Sequence, residues 1–136
     1  MMVIAMSRTE IDRMSVLHDL VANRINVTEA ATSALGDHVA PLGFAFSGGD
    51  NLPGQYRSGT FIGLHGSWNR KSRSDCKVIF VPFRDGRPQG KPVDILTRFL
   101  SADEKAHGRP VGVVMDTKGA VVVADDVGNV VWRVGK

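Results

Sequence analysis

Every glycine and every proline of this chain lies after residue 35. The 15 glycines and 6 prolines therefore break residues 36–136 into short runs and leave residues 1–35 unbroken. Glycine and proline weaken helix and strand interiors and favour turns. The body thus has room only for short elements, whereas the head can propagate a helix. Ser7 and Glu10 stand at capping-box spacing. Ile11, Met14, Leu17 (or Leu20), Val21 and Ile25 follow at roughly helical intervals. This pattern predicts a helix that ends by Asn26.

The body reads as all-β. Leu42–Phe46, Thr60–Leu64, Lys77–Phe83, a weaker Pro92–Leu100, Val111–Met115, Ala120–Ala124 and Val130–Val134 are apolar runs separated by Gly, Asp and Asn turns. Two echoes organise them. Pro41-Leu42-Gly43-Phe44 resembles Pro110-Val111-Gly112-Val113, and the stretch from Gly59 to Asn69 matches that from Gly119 to Asn129 in length and in its ends. Each copy reads strand, turn, strand, turn, strand, and the first has a further strand near Val93–Phe99. Repeated antiparallel units of three or four strands are the signature of propeller blades. The predicted architecture is about two four-stranded blades of a β-propeller, at about 35–100 and 101–136, behind an N-terminal segment 1–34 that is a helix or a docking strand. Two blades do not close a ring of 4 to 8, so exposed blade faces predict assembly or a longer protein.

Composition removes several function classes. At 43% apolar and 23% charged, the chain is ordinarily globular. No run approaches the ~18–20 apolar residues of a membrane-spanning helix. Met1–Met14 lacks a basic start, a long apolar centre and a small-residue cleavage site, so it reads as a poor signal peptide. The single cysteine, Cys76, excludes an internal disulfide and a cysteine-based zinc cluster. The basic cluster Arg70, Lys71, Arg73 and Lys77 is interrupted by Asp75 and lacks interleaved aromatics, so no nucleic-acid partner is expected.

Specific motifs carry a resemblance. They are Leu35-Gly36-Asp37-His38-Val39-Ala40-Pro41-Leu42-Gly43, Gly63-Leu64-His65-Gly66-Ser67-Trp68-Asn69-Arg70, Lys77–Phe83 with Asp85-Gly86-Arg87-Pro88, and Gly108-Arg109-Pro110-Val111-Gly112-Val113 through Ala124–Asn129 to Trp132-Arg133-Val134. In order and spacing, residues 35–135 resemble the C-terminal end of the pyrroloquinoline quinone (PQQ)-dependent glucose/sorbosone dehydrogenases. The resemblance implies a six-bladed propeller that oxidises a sugar, with hydride transfer to PQQ and with calcium at the cofactor. It places the catalytic histidine base and the calcium loop in earlier blades, with no matching segment here. The expectation is a fragment or short relative of such an enzyme, inactive as a lone chain. The alternative is a non-catalytic oligomeric module, for instance a trimer closing a six-bladed ring. Relatives of this kind are usually periplasmic.

The same resemblance nominates cofactor contacts. Arg109 stands where the family has an arginine for a PQQ carboxylate, a pairing that suits a guanidinium fork; otherwise it is a turn arginine. His38 stands at the matching entrance of the first unit, or is a loop histidine bonded to backbone. His65, Asn69 and Arg70 lie on the loop after the second strand, where a basic residue of the family, here Arg70 or Lys71, contacts the quinone. Trp68 reads as a wedge between blades rather than a sugar platform. Asp125 and Asp126 read as structural turn acids rather than a calcium pair. No residue of this chain is expected to be catalytic or to bind metal.

Overall fold

A computed structural model describes residues 39–48, 50–67 and 76–136. The predicted helix or docking strand in residues 1–34 lies outside them. The described residues are all-β apart from one 3-10 turn at Gly54–Tyr56.

The first sheet holds β1 (Pro41–Phe46), β2 (Gly59–Leu64), β3 (Lys77–Arg84), β4 (Arg87–Pro88) and β5 (Val93–Leu96), all antiparallel. Its order is β1-β2-β3-β4, and β5 also pairs with β3. The second sheet is β6 (Pro110–Met115), β7 (Val121–Asp125) and β8 (Val130–Val134), again antiparallel and in chain order. Two departures from expectation have local causes. The turn after β3 places Asp85 at φ +52° and Gly86 at φ +72°. That pair of left-handed residues makes a tight hairpin and lets Arg87–Pro88 pair back as β4. The predicted strand Pro92–Leu100 stops at Leu96, because Arg98 turns left-handed at φ +68° and Phe99 is buried edge-on against Trp132. The first sheet therefore has five strands, and the second has three among the described residues.

Alternation along β2 and β3 splits their side chains between two faces. Phe61, Val78 and Phe80 face the second sheet and join Val113, Val121, Val123 and Leu52 in one buried cluster. Ile62, Leu64, Ile79 and Val81 form a second cluster on the other face. Being buried on both faces, β2 and β3 read as continuous apolar runs. The echoed Pro-x-Gly motifs meet at the seam. A Cβ on Gly43 of β1 would overlap the Val111 carbonyl and crowd the Val113 amide of β6. These two strands thus lie backbone against backbone, and Gly43 is what permits it.

Candidate functional site

One end of both sheets gathers most of the chemistry. There β2 and β7 finish, and β1, β3, β6 and β8 start. The hub is Asp125, the last residue of β7. It is a buried carboxylate at 5% exposure, far from the usual surface position of an acid. Its Oδ1 accepts hydrogen bonds from the backbone N–H groups of Arg109 (2.8 Å), Gly128 (2.8 Å) and Val127 (3.2 Å). Its Oδ2 accepts from Trp132 Nε1 at 3.1 Å. Burial pushes this carboxyl up, but the bonds from Gly128, Arg109, Trp132 and Val127 together outweigh it and hold the group below its ordinary value. A Cβ on Gly108 or Gly128 would overlap the carboxylate, so both neighbours are glycine.

Asp125 thereby fixes Arg109. The arginine N–H donates to the carboxylate, and its carbonyl accepts from the Asp126 N–H at 3.3 Å. The Arg109 residue is half-buried. Among the described residues its guanidinium has no carboxylate partner, unlike Arg57 with Asp50 or Arg133 with Asp116.

His65 follows β2. Its N–H donates to Ala40 O at 3.0 Å and the Gly66 N–H to Val39 O at 3.2 Å. The Cys76 thiol, buried as a strand-edge residue, donates to His65 O at 3.1 Å. The imidazole Nε2 lies 3.3 Å from Asp126 Oδ2, in the turn of the other sheet. Of the five expected contacts, the structure brings His65 and Arg109 to one edge. His38, Asn69 and Arg70 lie outside the described residues, as do Trp68 and Lys71.

The cross-sheet pair of His65 and Asp126 was not legible in the motifs. A partial signal was: in the echo aligning Gly59 with Gly119, His65 and Gly66 stand opposite Asp125 and Asp126. The glycines at 108 and 128 were the available sign of a buried group between them. Lys77 pairs with Asp94 at 2.8 Å, while Arg84 and Arg87 lie at the opposite end of the sheet. Among the described residues, no group of three or more His, Cys, Asp and Glu side chains is placed to hold a metal ion, and no helix is long and apolar enough to cross a membrane.

Comparison with known proteins identifies the family. A family model described as TrAA12-like matches residues 11–136, so the match runs through most of the head as well. An uncharacterized protein of Borreliella burgdorferi is 38% identical over 98 residues, covering 71% of this chain and 26% of that protein. Among solved structures, the holo form of the pyranose dehydrogenase PQQ domain from Coprinopsis cinerea is 27% identical, with a TM-score of 0.58. The match covers 73% of this chain and 27% of that one. The calcium structure of the Trichoderma reesei carbohydrate-active enzyme of family AA12 is 24% identical with a TM-score of 0.55, covers 69% of this chain and 24% of that one, and supports the fold alone. The chain spans about a quarter of the length of these relatives. The matches concern AA12 and pyranose dehydrogenase, not specifically the glucose/sorbosone dehydrogenases that the motifs suggested. On a family model covering most of its length, the chain belongs to the TrAA12-like family.

Proposed function

We propose that this chain supplies two neighbouring blades of a β-propeller in a PQQ-dependent sugar dehydrogenase, and that the edge shared by its sheets is part of the cofactor-facing surface. One observation carries the reading: a half-buried arginine with no carboxylate partner among the described residues is held by its own backbone at the end of the sheets that also carries His65, the two being linked through Asp126. PQQ carries three carboxylates, and a guanidinium that has no carboxylate partner among the described residues, on a fixed backbone, suits one of them. Arg109 and His65 would hold the cofactor, joined by His38, Asn69 and Arg70 from the adjoining segments. When bound, PQQ supplies the two-electron redox chemistry of sugar oxidation. The role of this chain's residues is to bind and orient, with the general base contributed by other blades. Calcium is implied by the resemblance, but no described residues form a cluster for it and we assign it none. The substrate is a pyranose or a sorbosone-type sugar.

A second reading, a non-catalytic module in which copies associate up to a trimer closing a six-bladed ring, is favoured by exposed apolar side chains on the second sheet. Val114 and Val131 are exposed there, and β8 has an unpaired edge among the described residues. The PQQ reading is tested by titrating the chain with PQQ in the presence of calcium and following quenching of tryptophan fluorescence. Saturable uptake at micromolar PQQ is expected, weakened about tenfold or more by Arg109→Ala. No uptake, or equal uptake by the variant, would reject it.

A further inference from the structure

We propose that Asp126 is a positioning residue that holds the His65 imidazole across the seam between the two sheets. This inference rests on the reading of His65 as a cofactor contact. The pair joins the exit of β2 in one sheet to the turn after β7 in the other, with Nε2 and Oδ2 3.3 Å apart. Both backbones are fixed independently of it. His65 is bound to Ala40 and Cys76. Asp126 donates its N–H to Arg109 O, and its neighbour Asp125 is the buried hub. A contact between two fixed backbones restricts rotation of the ring that makes it. Because a carboxylate only accepts, Nε2 carries the proton toward Asp126, and Nδ1 is the ring's other polar atom.

The side chains are 22% and 53% exposed, so the pair adds little to stability. Its consequence is orientation. Two consecutive acids act on different contacts. Asp125 holds Arg109 through its backbone from inside, and Asp126 holds His65 through its ring from outside. Together they set the spacing of the two candidate contacts.

The test uses the full chain with Asp126→Ala, Asp126→Glu, His65→Ala and the Asp126→Ala/His65→Ala double variant. The readouts are the imidazole NMR resonances, thermal unfolding and PQQ affinity. Asp126→Ala should move the His65 ring resonances, leave those of His107 in place, and weaken PQQ binding about threefold to tenfold. Asp126→Glu should restore most of that loss. In the His65→Ala background, Asp126→Ala should change affinity no further, because the acid acts through the ring. Unmoved His65 resonances, an additive double variant, or a lowered melting temperature with unchanged affinity would each overturn the inference. A wild-type chain that takes up no PQQ overturns the cofactor reading and the positioning role with it, while the ring resonances still decide whether the pair forms.

Discussion

At the residue scale, Asp125 is the group on which the candidate site is built. Replacing it with alanine leaves three backbone N–H groups and the Trp132 indole N–H without their acceptor. A loss of roughly 2–4 kcal/mol is expected in urea unfolding. The pH dependence follows from the direction of its titration. Its carboxyl is held below the ordinary 3.8 in the folded chain. A depressed folded value stabilises the fold above the unfolded value, and that contribution is lost as pH falls through the folded one. Below about pH 4 the wild-type chain should therefore lose stability more steeply than Asp125→Asn. Equal acid limbs in the two proteins would show that Asp125 does not carry this term. Asp116 and Asp103 are also held low, Asp116 chiefly by the Ala120 N–H and Asp103 chiefly by Lys105, but both are common to the two proteins.

At the element scale, the seam between β1 and β6 depends on which glycine is replaced. Gly43→Ala puts a methyl group into the Val111 carbonyl and should cost at least ~2 kcal/mol. The echoed Gly112 is exposed, and a Cβ there meets only Ala124 Cβ at 3.7 Å, an ordinary contact. Gly112→Ala should stay within about 0.5 kcal/mol of wild type. Thermal melts of the two variants side by side check both values. The echo was readable because both copies begin a strand at a proline, although only the first needs its glycine for a close neighbour. The strands were readable from their own composition: runs such as Lys77–Phe83 are rich in β-branched and aromatic residues and end at the turn residues Arg84-Asp85-Gly86. β4 was not readable, since Arg87–Pro88 pairs only because the turn before it reverses the chain so tightly. The His65–Asp126 pair was not readable either. It joins residues 61 positions apart on different sheets, and no local pattern encodes that distance. The motifs nominated Arg109 and His65, but the acid that bonds each one required the fold.

At the scale of the whole molecule, the second sheet leaves apolar surface uncovered. Val131 is 68% exposed and Val114 57%, on strands flanking β7. Surfaces of this kind promote association. Sedimentation should show self-association of the chain that Val131→Lys reduces; a wild-type chain that stays monomeric at high concentration would remove the second reading. The shared edge makes a separate claim about where a ligand sits. It joins loops from both sheets, whereas the turns at Asp85–Gly86 and Asp116–Gly119 lie at the far end. The most direct measurement is therefore a map of backbone amide shifts as PQQ is titrated into the labelled chain. Shifts should concentrate at Gly66, Ser67, Arg109, Asp126 and Val127, and leave Gly86, Lys118 and Gly119 unmoved. Shifts confined to the far turns, or no saturable shifts at all, would contradict a cofactor-facing edge built from both sheets.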